Sequence, residues 1–117
     1  MKIVRADALS YIPASHEDPA APGVLKRVLL SRSELRGTPQ MINWSKLPAR
    51  KAFCPHLHES MEEVFIMMKG RAEIEIDGEC ALLGRGDAVV VPPHSRHSMR
   101  NTTEEDVEFL AIGFAVA

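Results

Sequence analysis

Cysteine is scarce in this chain: Cys54 and Cys80 are the two in 117 residues, too few for a disulfide framework. In a reducing compartment both thiols are expected to stay free. Long apolar runs are missing as well. No stretch approaches the 18 or so consecutive apolar residues of a membrane span, and residues 1–10 carry no apolar core of a secretory leader, so a cytoplasmic location is expected. Nor is there a long basic block. Fourteen Lys and Arg stand against sixteen Asp and Glu, for a formal net charge of −2, which removes nucleic acid and anionic membranes as evident partners. The longest acidic cluster, Glu104-Glu105-Asp106, reads as a solvated turn. No segment of ten or more residues shows helical periodicity.

What is present is a globular composition, 45% hydrophobic and 26% charged, at a length suited to one core. Short alternating runs dominate. Residues 40–46 alternate, with Met41, Asn43 and Ser45 on one face and Ile42, Trp44 and Lys46 on the other. Ala72, Ile74 and Ile76 alternate with Glu73 and Glu75, and Asp77-Gly78 then supplies a strong hairpin signal before residues 79–83 return. Residues 24–31, 53–58, 64–68, 88–91, 97–101 and 108–116 read as further strands, and Ser31 to Glu34 can cap one helical turn. Many short strands between turn signals indicate an all-β sandwich or barrel. Residues 1–23, broken by Pro13, Pro19 and Pro22, read as an arm that packs on the barrel or on a second subunit. His16, in that arm, reads as a solvated residue, and Trp44 as a packing or subunit-contact residue.

The chemistry concentrates in two places. His56 and His58 stand two apart, a spacing that aims both imidazoles to one side of a strand. Glu62-Glu63 opens the next apolar run, so a carboxylate faces the histidines if the two strands pair. Downstream, in Pro92-Pro93-His94-Ser95-Arg96-His97, His97 starts another strand and is a fourth candidate. Three imidazoles and a carboxylate suit iron, manganese, nickel or zinc rather than calcium or magnesium.

These residues resemble the two signatures of the cupin superfamily, G-x5-H-x-H-x3 or 4-E-x6-G and G-x5-P-x-G-x2-H-x3-N. His56, His58, Glu63 and Gly70 stand at the spacing of the first, and Gly86, Pro92, His97 and Asn101 at that of the second. Arg50 and His94 occupy positions where the signatures have glycine. The resemblance implies a jelly-roll barrel, a double-stranded β-helix, over residues 24–117, with a divalent metal in its mouth. It implies His56, His58, Glu63 and His97 as the metal ligands, with the family register favouring Glu63 over Glu62. It also implies a homodimer, since cupins are often dimers.

Strand parity then characterises the interior. Phe65 and Met67 share the Glu63 face and Met99 the His97 face, whereas Arg96 and Arg100 fall opposite. Met67 and Met99 read as core filling. Asn43 and Ser45 supply polar contacts if their face turns inward. Cys54 shares parity with His56 and His58, leaving a small buried hydrophobe as one reading and a soft extra ligand or oxidation-sensitive thiol as the other. His94 reads as an exposed turn residue, or as a second-shell or proton-transfer group at the rim. Four protein donors on a metal that prefers six leave two positions for water, dioxygen or a bidentate organic ligand. The expected function is therefore that of a metal-dependent enzyme on a small oxygenated metabolite, of dioxygenase, decarboxylase or isomerase type. A non-catalytic metal or small-ligand module and an empty structural barrel are the competing readings. No cationic cluster lies on the inferred interior faces to favour a sugar phosphate.

Overall fold

The alternating runs become nine strands among the residues described, 2–116, in a computed structural model of the chain. These are β1 (Ile12–Pro13), β2 (Leu25–Ser31), β3 (Pro39–Leu47), β4 (Met61–Lys69), β5 (Ala72–Ile76), β6 (Glu79–Leu83), β7 (Ala88–Val91), β8 (His97–Arg100) and β9 (Val107–Ala115). They form two antiparallel sheets, one ordered β1-β2-β3-β9-β4-β7 and one ordered β6-β5-β8. The expected all-β, jelly-roll architecture is the observed one. Two 3-10 turns complete it, and the second, Arg32–Glu34, carries the capping box expected at Ser31 and Glu34.

The hairpin signal has a backbone cause. Asp77 and Gly78 both adopt positive φ, 49° and 84°, the combination a type I′ turn requires, and Ile76 and Glu79 pair directly across it. Inward parity builds the core. Phe65 and Met67 of β4, Phe109 and Ala111 of β9, Ile74 of β5 and Met99 of β8 belong to one buried cluster spanning both sheets. A side chain buried to this degree contributes roughly 2 kcal/mol, so the inner faces of β4 and β9 make a stiff floor beneath the mouth.

One expected strand does not form. Residues 53–58 form no continuous ladder: their β pairing is the isolated bridge of His56 with His97, beside single backbone hydrogen bonds from Phe53 to Met99 and from His94 to His58. Pro55 has no N–H to donate to a ladder, so pairing is interrupted there before the His56–His97 bridge, and the parity rule loses its basis across it. Cys54 shows the consequence. It is exposed, neither a buried hydrophobe nor aimed at the histidines. Its thiol pKa is raised by the nearby Glu17 charge, the reverse of what an oxidation-sensitive thiolate needs.

The amino-terminal arm lies on the barrel. β1 pairs with β2, and the Tyr11 ring sits between Arg27 and Lys46, each 4.3 Å from its centroid. Beyond it the Ala14 amide donates to the Val24 carbonyl at 3.1 Å. Gly23 is where the arm passes closest to the segment that carries His56: a Cβ there would stand 1.9 Å from the Ala52 carbonyl oxygen, so only a residue without a side chain fits.

Candidate metal centre

Three backbone devices converge on one point. His56 and His97 exchange both amide hydrogen bonds, at 3.1 and 2.9 Å, which makes them a directly opposed antiparallel pair with side chains on the same side; their ring centroids are 4.5 Å apart. The His58 carbonyl accepts the His94 amide at 2.7 Å, tying the second histidine to the proline turn that precedes β8. Glu63 arrives from β4, where inward parity buries it and leaves Glu62 on the opposite face. One donor atom from each of His56, His58, Glu63 and His97 lies within 4.8 Å of all the others.

That spread fits a metal closely. Ligands on bonds of about 2.1 Å stand at most ~4.2 Å apart, so about half an ångström of contraction brings all four into one coordination sphere. The orphaned atoms make the second case. His58 Nε2, His97 Nε2 and Glu63 Oε1 are buried without a hydrogen-bond partner, although the two nitrogens approach the oxygen to 2.7 and 3.3 Å. The distances would allow ion pairing, but the rings are not aligned for hydrogen bonds to the carboxylate. Buried polar atoms left in this state are costly, and one cation at their shared centre satisfies all of them.

The outer edges of the rings set their protonation. His56 Nδ1 lies 2.7 Å from the Cys54 carbonyl and His97 Nδ1 3.0 Å from the Ser95 carbonyl. A carbonyl only accepts, so each Nδ1 carries a proton, and whenever such a ring is neutral its lone pair sits on Nε2, facing inward. Burial holds the His56 pKa below its ordinary value, aided by the neighbouring histidines and opposed by the Cys54 carbonyl. Burial alone would raise the Glu63 pKa, but the contacts with His58 and His97 outweigh it and bring it to about 2. Neutral imidazoles and an ionised carboxylate are the forms that ligate.

A cavity of about 200 Å³ opens above these donors, smaller than sites for drug-sized ligands. Phe65, Phe109 and Ala111 line it from below, Met41 and Met61 from the sides, and Asn43 and Ser45 face into it, as their strand parity allowed. Asn43 Oδ1 is buried there without a partner. Trp44 faces the other way and donates from Nε1 to Glu108 at 3.1 Å. His94 is exposed, as an ordinary turn residue is.

Two lining residues carried no sequence signal for the site. His16, expected to be solvated, stacks on the His56 ring with centroids 4.4 Å apart and meets the His58 ring edge-on at 5.5 Å. Lys26 projects from β2 beside Ser45, its cross-strand partner, and reaches Ser15 at 3.3 Å. The fold of the arm brings His16 to the mouth, and the pairing of β2 with β3 brings Lys26 there.

Comparison with known proteins bears on this geometry. Residues 43–113 match the family model described as a cupin domain. An uncharacterised protein of Methanocaldococcus jannaschii is 24% identical over 97% of this chain and 88% of its own length. An oxalate-binding protein of Thermotoga maritima is 27% identical over 72% of this chain and 69% of its own. Among solved structures, one from Thermotoga maritima described as a predicted oxalate decarboxylase superposes with a TM-score of 0.87, covering 98% of this chain and all of that one at 24% identity. The polyketide cyclase RemF of Streptomyces resistomycificus gives 0.81 over 97% of this chain and 79% of its own, at 17% identity. At those identities the structural likenesses establish the fold alone.

Proposed function

The chain belongs to the cupin-domain family, and from that membership we propose that it is a metal-dependent enzyme acting on a small oxygenated metabolite. His56, His58, Glu63 and His97 hold a divalent transition metal, iron, manganese, nickel or zinc. The observation that carries this is the set of three buried, unpartnered donor atoms at the convergence of two histidines and one carboxylate, completed by His56 within the same 4.8 Å. When bound, the metal supplies Lewis-acid polarisation or redox chemistry at its open positions.

The chain's own residues do the rest. The Cys54 and Ser95 carbonyls hold a proton on Nδ1 of His56 and His97, so Nε2 of each ring is the atom left to ligate. Phe65 and Phe109 close the floor against water, which strengthens electrostatic contacts made above it. The small cavity restricts occupants to compact molecules. A second reading, a non-catalytic binding module, draws support from the Thermotoga maritima relative, which is named for binding oxalate.

Elemental analysis of protein purified without an affinity column, followed by metal titration, tests the centre. About one transition-metal ion per chain is expected, with His97→Ala binding about a hundredfold more weakly, since loss of even an outer-shell partner costs ten- to a hundredfold. Unchanged affinity in His97→Ala excludes the assignment. Turnover then separates the chemistries: a dioxygenase stops without dioxygen and favours ferrous iron, an isomerase ignores dioxygen and accepts several metals, and a binding module saturates without turnover under any metal.

A further inference from the structure

The charges around the cavity are unevenly placed. Among the described residues lining it, Glu63 and Lys26 are the side chains charged at neutral pH, with the histidines taken as neutral. Glu63 belongs to the donor cluster, and a divalent cation there outweighs its single negative charge. Lys26 therefore adds a second positive centre at the mouth with no carboxylate in the lining to neutralise it. The one polar contact found for its ammonium is the Ser15 hydroxyl, and an ammonium has three protons to donate. The cavity they share also has apolar walls: Met41, Met61, Phe65, Phe109 and Ala111. The polar exceptions are Ser45 and Asn43, the latter 6% exposed and with its amide oxygen unpartnered. A buried amide in that state is a hydrogen-bonding group left for an occupant.

Resting on the metal reading above, we infer that the ligand is a small organic acid with two separated oxygen-bearing ends. A chelating head, such as a 2-oxo acid, takes the open metal positions. A short apolar body lies along the phenylalanine and methionine walls, and a second carboxylate pairs with Lys26. Oxalate is a poor match to this lining: its two carboxylates are both used in chelation, and it has no apolar body to cover the walls. Lys26 is then a specificity-determining residue, brought to the mouth because β1 and β3 both pair with β2 and hold its inward face over the cavity.

The experiment compares 2-oxoadipate with 2-oxohexanoate, which have the same chelating head and chain length but differ in the terminal carboxylate. Binding to zinc-loaded protein is measured by calorimetry for wild type and Lys26→Met, with zinc affinity and thermal unfolding recorded for both. The wild type is expected to bind 2-oxoadipate about two- to fivefold tighter than 2-oxohexanoate, the ratio of a single partly exposed ion pair. In Lys26→Met the two acids become equal while zinc affinity and unfolding stay as in wild type. Equal affinities in the wild type, a preference that survives in Lys26→Met, or binding of neither acid to zinc-loaded protein overturns the inference and leaves the metal centre standing. Failure of the wild type to take up zinc defeats the metal reading itself.

Discussion

Glu17→Ala tests whether the arm and the segment that carries His56 are one mechanical unit. The Glu17 carboxylate accepts three backbone amides: Gly23 at 2.5 Å and Val24 at 3.2 Å on Oε1, and Cys54 at 2.8 Å on Oε2. The last lies two residues before His56. A hydrogen bond to a charged acceptor contributes about 1.5–3 kcal/mol, and discounting for the partly exposed carboxylate leaves about 1 kcal/mol each. Gly23 and Val24 are buried, so water cannot readily replace the lost acceptor there, whereas the Cys54 amide is at the surface. The expected loss is about 2–3 kcal/mol, read by urea unfolding with Trp44 as the sole tryptophan reporter. That corresponds to a fall of roughly 10 °C in midpoint for a chain of this length. Glu17→Gln, which keeps one oxygen acceptor, should lose about half as much. Metal affinity should drop in parallel, because the segment presenting His56 loses its anchor. A loss under about 0.5 kcal/mol in Glu17→Ala would show that the arm merely rests on the barrel.

Asn101→Ala should be comparably damaging without touching the donors. Its amide donates to the Leu47, Pro48 and Glu105 carbonyls and its oxygen accepts from Thr103 twice, so removal should cost about 3 kcal/mol in chemical unfolding; a change within experimental error would deny this loop its organising residue. The pH dependence of metal-free stability follows from His56. Its folded pKa lies below the unfolded 6.5, so the unfolded chain binds more protons in between, and the contribution of this group is complete above pH 6.5 and lost as pH falls through the folded value. Thermal midpoints of chelator-treated protein should therefore decline on the acid side of pH 6.5, and a flat profile from pH 7.5 to 5 would contradict neutral burial of His56.

How much of this was legible depended on whether backbone pairing stayed regular. β4 pairs on both sides, with β7 and with β9, so period-2 alternation held and put Glu63, Phe65 and Met67 inside with Glu62 out. Asn43 and Ser45 turned inward for the same reason. Around Cys54 pairing is reduced to single bridges, and parity misdirected its side chain. His16 and Lys26 failed differently. The place of His16 is set by how the arm folds back over the barrel, through contacts such as Ala14 to Val24 and Glu17 to Cys54, and that of Lys26 by the pairing of β2 with β3; no local pattern in the sequence encodes either long-range contact.

The two positions that depart from the cupin signatures explain what the glycines there are for. Arg50 and His94 both adopt left-handed backbone, with φ of 65° and 66°, a conformation glycine enters freely and other residues pay for at roughly 1–2 kcal/mol. Each departure sits beside contacts that offset the cost. The Arg50 guanidinium reaches the Thr102 carbonyl at 2.7 Å and also binds Glu104, clamping the turn before the first histidine to the loop after β8. At His94 the imidazole is exposed and the useful group is the amide, which holds the His58 carbonyl. Left-handed geometry at residue 94 is thus retained because it aims a backbone donor at the segment that carries His58. Glycine would serve that purpose equally, so the imidazole of His94 is not needed for this backbone contact.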